Sequence, residues 1–200
     1  EKLGHTVRLI PPIYVKPFLK RQKNDAADAE AIVEAAQRPS MRFVEPKTPD
    51  QQARAMLFRS REQLLRQRTE TINSLRSHLS EFGIIAAQGA VGVSQIRDTL
   101  DDPEAEIPEL VRELAVGLLR RIDQQTSELD ILRKHMNAVS EVGETARRLR
   151  TLPGIGPIGA LAIETFSPEM STFRRGRDFA SWLGLVPRQH STGGRQRLGK

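Results

Sequence analysis

The chain of 200 residues contains no cysteine, which excludes disulfides and thiolate metal sites and fits a reducing compartment such as the cytoplasm. No apolar run approaches the length of a membrane-spanning helix, and no signal peptide is visible at the start. Residue 1 is glutamate rather than methionine, and an extended-looking segment follows almost at once. That start fits an internal piece of a longer chain. Hydrophobic residues make up 38 %, enough for a core but not a generous one.

What the sequence does have is positive charge. Its formal net charge is +6 and its pI about 10.1, a balance that points to a polyanionic partner, most simply nucleic acid. The charge is concentrated. Residues 147–200 carry ten cations against three acids, so this stretch alone exceeds the net charge of the whole chain.

Residues 5–10, "HTVRLI", alternate as a strand does, and Pro11-Pro12 stops it. Asn24 is a good N-cap, and the Ala- and Glu-rich run from Asp25 to Gln37 reads as a helix. A proline-bearing linker, "RPSMRFVEPKTPD", leads to a long helix from about Gln51 to Phe82. Leu65, Ile72, Leu75, Leu79 and Phe82 give that helix a coiled-coil seam, interrupted by Arg61 and Arg68. A Gly-bearing loop, "GIIAAQGAVGVSQ", and an acidic turn region follow. A second long helix is expected from about Pro108 to Arg150, its stripe formed by Leu114, Leu118, Leu129, Leu132, Met136 and Val139. The pair reads as an antiparallel arm held by internal packing, with a dimer contact at its tip as the sharper alternative.

Three motifs carry candidate chemistry. Asp25 and Asp28 lie three residues apart on one helix face that continues to Ile32, Ala35 and Ala36. Acids in a first turn complement the helix dipole, which accounts well for Asp25. Two partly buried carboxylates repel unless a cation lies between them, and a hard ion such as Mg2+ would resolve that conflict. Both readings stand on the local sequence. "LRTLPGIGPIGALAIETF" has the pattern of a helix-hairpin-helix, with Gly154 and Gly156 in the turn and Pro157 opening the next helix. Such a turn lets a phosphate approach the backbone and meet the N–H groups of the helix start. An ordinary helix connection has the same punctuation. In "FASWLGLVPRQHSTGGRQRLGK", Trp182, Leu183, Leu185 and Val186 read as anchors. A loop bearing Arg188, His190, Ser191, Thr192, Arg195 and Arg197 follows them. Ser191 beside flexible glycines and arginines can approach a phosphodiester, as nucleophile or as simple hydrogen-bond donor. Thr192 and Ser181 are rival hydroxyls, Ser181 read as helical and less accessible. With Arg174, Arg175, Arg177 and Lys200, these residues make a nucleic-acid-facing set.

Taken in order, "VKPFLKRQKNDAADAEAIVEAA", "LPGIGPIGALAIETF", "FRRGRDFASWLGLVPRQHSTGG" and "RLGK" resemble the DEDD-type insertion-sequence transposases, also called bridge-RNA-guided recombinases. The resemblance covers essentially the whole chain. It implies a mainly α fold in three parts. Residues 1–46 would be the C-terminal part of an α/β RuvC-like (RNase H) domain, 47–146 a coiled-coil arm, and 147–200 a transposase domain containing the helix-hairpin-helix. It further implies that Asp25 and Asp28 are the last two of four acids binding Mg2+, with Mn2+ able to substitute, and that Ser191 is the nucleophile that joins DNA. The implied partners are double-stranded DNA, a guide RNA and further copies of the chain as a dimer or tetramer, in a bacterial or archaeal cytoplasm near the nucleoid.

The family's first acid and its glutamate have no counterpart before Glu1, and the family continues past "GK". The expectation is therefore an internal fragment with half a metal site, inactive by itself. Two other classes remain open on the residues alone: a DNA-binding scaffold in which the aspartates only cap a helix, and a metal-dependent nuclease that uses water instead of Ser191.

Overall fold

The computed structural model describes residues 3–20 and 24–186, together with the backbone of two strands, Gln189–Thr192 and Arg195–Leu198. The described chain is mainly helical. Among its described residues no helix is long and apolar enough to cross a membrane. It divides into two compact units, one of residues 47–166 and one of residues 1–46 with 167–200.

The unit 47–166 is built on two long helices, α3 (Pro49–Ser80) and α5 (Glu109–Val142). Helix α3 starts at a capping box: Thr48 accepts from Gln51 N–H at 3.1 Å, and the Gln51 side chain accepts from Thr48 N–H at 3.0 Å. Pro49 takes the first helical position, where no N–H is needed. The two helices run antiparallel. Leu75 and Leu79, late in α3, share a core with Ala115, Leu119 and Ile122, early in α5, while Arg68 meets Thr126.

The buried line of α5 is Ala115, Leu119, Ile122, Leu129, Met136 and Ser140. Only part of the expected stripe lies on it. Leu129 and Met136 are buried, but Leu114 is 63 % exposed. The seam runs one residue later at this end, through a small alanine that hydrophobic patterning underweights.

The stretch expected to be loop and acidic turn contains a further helix, α4 (Ala90–Asp101), which adds Ile96 and Leu100 to the core between α3 and α5. Arg112 of α5 donates to the carbonyls of Leu100, Asp102 and Ala105, tying down the α4–α5 connection. The expected single helix from Pro108 to Arg150 is broken at Gly143 into α5 and α6 (Glu144–Leu149). Helix α7 (Pro157–Phe166) follows, and α6 and α7 both pack on α5, with α7 also reaching α3. Phe166 meets Phe58 of α3 edge-on, with ring centres 5.1 Å apart.

In the other unit, residues 1–46 hold α1 (Pro12–Val15), a single 3-10 turn (Lys16–Phe18) and α2 (Asp25–Ala36). The strand expected at 5–10 reduces to one antiparallel bridge between Leu9 and Val44, closed by Val44 N–H to Leu9 C=O at 2.8 Å. A strand needs neighbours along its length, and among the described residues only Val44 supplies one. Residues 167–186 hold a 3-10 turn (Met170–Thr172) and α8 (Gly176–Trp182). The segment around Ser191 was expected to be a loop. It is a hairpin: β1 (Gln189–Thr192) pairs antiparallel with β2 (Arg195–Leu198).

Candidate metal and nucleic-acid sites

Asp25 and Asp28 sit in the first turn of α2. Its start is fixed by Asn24, whose side chain accepts from Ala27 N–H at 2.8 Å while its carbonyl accepts from Asp28 N–H at 3.1 Å. The capping hydrogen bond thus belongs to Asn24, and neither aspartate is needed for it. The buried residues of α2 are Ala31 and Ala35, whereas Ile32 is 50 % exposed and Ala36 is exposed. The expected stripe is thereby corrected. Its buried line passes through Asp28, Ala31 and Ala35; Asp28 is half-buried at its edge and Asp25 lies in solvent.

Neither aspartate makes an ion pair among the described residues, although Lys20 and Glu30 pair nearby at 2.5 Å. No group of three or more metal-ligating side chains comes together among the described residues. Two carboxylates one helical turn apart fit a hard divalent ion as two of its oxygen donors, the rest coming from water or other groups.

The turn before α7 has the geometry its sequence demands. Pro153 and Gly154 are its central residues, and Ile155 N–H donates to Leu152 C=O at 3.2 Å. Gly154 has φ +86°, the value a type II turn needs at that position. Gly156 has an ordinary φ and precedes Pro157, the first residue of α7. Both glycines are exposed, and a Cβ at either would meet no atom within 4 Å. The backbone here is open to a ligand. Arg147 and Arg148 in the last turn of α6 are exposed. Arg150 lies 3.9 Å from Glu141.

Arg174, Arg175 and Arg177 are all exposed and make no ion pair among the described residues. Asp178 instead accepts from Arg175 N–H at 3.1 Å, fixing the start of α8. Phe173, Phe179 and Trp182 form an aromatic cluster, with Phe179 and Trp182 stacked at 5.9 Å. The expected anchors are less buried than their composition suggests: Trp182 is 44 % exposed, Leu185 and Val186 are exposed, and only Leu183 is partly buried. Ser181 is helical as expected, but exposed rather than shielded. Arg188 and Lys200 lie outside the described residues, and Ser191, Arg195 and Arg197 are placed by backbone alone. In the hairpin register Ser191 stands opposite Gln196, His190 opposite Arg197 and Thr192 opposite Arg195.

One arrangement was not foreseen from the sequence. Glu164, the only acid of α7, reaches Arg54 of α3, whose Nη1 lies 3.0 Å from its Oε2; Arg54 also pairs with Asp50 at 2.9 Å. The Glu164 carboxylate sits over Gly143, where a Cβ would come within 2.5 Å of it. Three elements are thus joined at one carboxylate. The signal in the sequence was a lone acid in an otherwise apolar helix.

Residues 1–84 match the family model described as "Transposase", of the DEDD type, and residues 146–200 match "Transposase IS116/IS110/IS902 family". Among curated proteins, the chain is 43 % identical over 200 residues to "Putative transposase y4pF/y4sB" of Sinorhizobium fredii, covering all of this chain and 51 % of that protein. It is 47 % identical over 207 residues to "Probable family 20 transposase" of Pseudomonas aeruginosa, covering all of the chain and 60 % of the relative. It is 43 % identical over 203 residues to "Transposase for insertion sequence element IS1328" of Yersinia enterocolitica, covering 99 % and 59 %. The chain spans between half and three fifths of the length of these relatives. One family model is thus matched at each end of the chain, and proteins named as transposases are similar to it along its whole length.

Proposed function

We propose that the protein containing this chain is a DNA transposase that exchanges strands through a covalent link between Ser191 and a DNA phosphate. The observation that carries the reading is the pairing of two family matches on one chain, the first containing Asp25-x-x-Asp28 and the second Ser191. In this reading residues 1–46 belong to a RuvC-like domain, 47–146 form a coiled-coil arm, and 147–200 form a transposase domain with a helix-hairpin-helix. Asp25 and Asp28 would hold Mg2+, which supplies charge neutralisation at the phosphate when bound. Duplex DNA is the substrate, and a guide RNA and a homo-oligomer complete the proposed assembly.

The chain's own residues have separate tasks. The Ser191 hydroxyl gives up its proton and its oxygen bonds to phosphorus, while the departing sugar oxygen breaks its bond to phosphorus and takes up a proton. The number of phosphoester bonds is unchanged, and rejoining needs no ATP. Arg174, Arg175, Arg177, Arg188, Arg195, Arg197 and Lys200 bind the strand's phosphates, and Gly154 and Gly156 let the duplex backbone approach the start of α7.

The test is to trap the reaction of the full-length protein with its nucleic acids and digest the product for mass spectrometry. A nucleotide adduct on the peptide containing Ser191, absent in Ser191→Ala, is the expected result. An adduct on Thr192 or Ser181, or efficient exchange by the alanine variant, overturns the assignment.

A further inference from the structure

The seam between α3 and α5 is apolar at Leu75, Leu79, Leu119, Ile122, Leu129 and Met136, yet Arg68 and Thr126 face each other within it. Arg68 meets Thr126 only through a long contact, Nη1 to Oγ1 at 3.5 Å, and its Nε is buried with no hydrogen-bond partner among the described residues. A buried N–H of a guanidinium left unpaired destabilises a helix pair, and an apolar residue would pack there better. Its presence points away from packing and toward a ligand.

The seam opens beside Arg68 into a groove of about 610 Å³. Arg76, about two turns further along α3, lines the same groove. Its Nε and Nη2 donate to the Ala86 carbonyl at 3.2 and 3.0 Å, which fixes the guanidinium and leaves Nη1 without a hydrogen bond among the described residues. Across the groove lie Gln88 and the start of α4, a helix of 12 residues. Its N-cap is Gly89, at φ +80°, which has no side chain to accept the first N–H groups. Asn73 and Thr126 add neutral polar groups to the lining. The one acid that lines the groove, Asp123, is engaged by Arg97 at 2.5 Å.

The setting sharpens the chemistry. Residues 47–166 carry 16 cations and 17 acids, so no diffuse positive field draws anions to this unit. Whatever anion binds here is held by the local groups. Two guanidiniums with unused donors, lining one groove with an uncapped helix start, match a tetrahedral oxyanion with several acceptor oxygens. We propose that this groove holds one backbone phosphate of a nucleic-acid strand, gripped by Arg68 and Arg76 against the first turn of α4. The nucleic-acid source rests on the functional reading above; the phosphate chemistry rests on the groove alone.

The test uses full-length protein with two probes, inorganic phosphate and a mixed-sequence single-stranded 20-mer. It also uses two variants. Arg68→Leu fits the apolar seam, and Gln88→Glu puts a carboxylate in the groove while leaving both arginines in place. Inorganic phosphate is expected to raise the melting temperature of the parent protein saturably and to leave both variants unmoved. Both variants should bind the oligonucleotide more weakly, and Arg68→Leu should lower the slope of log K against log salt by about one unit. Cooperatively melting variants with parental affinity and slope overturn the proposal. Stabilisation by inorganic phosphate with an unchanged oligonucleotide slope overturns the nucleic-acid source. The Ser191 adduct is read on a different peptide, so failure here leaves that result independent.

Discussion

Gly154 and Gly156 serve different ends although one residue separates them. Gly154 holds a left-handed φ of +86°, so any side chain there is strained whatever the ligand does. Gly156 has an ordinary φ and open space around it, so a methyl group strains nothing within the protein. Gly156→Ala should therefore leave stability unchanged or raise it by up to ~1 kcal/mol through the unfolded state. Its duplex affinity should fall about tenfold if a phosphate contact worth ~1.4 kcal/mol is blocked. Gly154→Ala should cost about 1–2 kcal/mol of stability by itself. Paired thermal melts and duplex titrations separate the two; undiminished duplex binding by Gly156→Ala would remove the phosphate from this turn. Residue-scale chemistry of this kind was legible in the sequence, because a Pro-Gly turn and the Asn24 cap are decided by neighbours a few positions away.

Elements were legible only where their causes are local. Helix α3 announces itself by Thr48, Pro49 and Gln51, all at its start. The break between α5 and α6 falls at Gly143, where the absent Cβ also leaves room for the Glu164 carboxylate from far along the chain. Gly89 and Gly92 made α4 look like loop. Gly92 is instead a packing residue, since a Cβ there would overlap the Ala87 carbonyl. Along α5, leucine at 114 drew the expected stripe away from Ala115, which the fold buries. This yields a direct check of the seam. Leu119→Ala should cost about 2–4 kcal/mol, as a buried leucine does, and Leu114→Ala less than about 0.5 kcal/mol. Equal losses by denaturant unfolding would overturn the register that buries Ala115 and Leu119. At the other end of the unit, Arg54→Ala leaves the Glu164 carboxylate, only 17 % exposed, with no cation within reach among the described residues. A loss of about 1–3 kcal/mol is expected. Glu164→Gln should recover part of that loss in the double variant, and a double variant no more stable than Arg54→Ala would show the pair to be uncoupled.

At the scale of the whole molecule, the candidate chemistry is divided between the two ends of the chain. The paired aspartates fall within the match to the DEDD-type transposase model at residues 1–84, and the serine with its arginines within the match at 146–200. The local sequence left two readings open for each, and three kinds of protein differ in which of the two ends they need. A recombinase of the proposed kind needs both ends, a metal-dependent nuclease needs the acids and not the serine, and a scaffold needs neither. The separating experiment compares Asp25→Asn, Asp28→Asn and Ser191→Ala in the full-length protein, scoring strand exchange, DNA cleavage and divalent-ion binding by calorimetry. Because Asn24 supplies the capping hydrogen bond of α2, neither aspartate variant should lower the melting temperature by more than a few degrees. Both should abolish exchange and weaken Mn2+ binding, and Asp28→Asn should weaken the binding more, since Asp28 is half-buried and Asp25 exposed. Ser191→Ala should abolish exchange and leave ion binding at the parental level. Exchange that survives Asp28→Asn would return both aspartates to an electrostatic role at the start of α2, and cleavage that survives Ser191→Ala would transfer the attack to water.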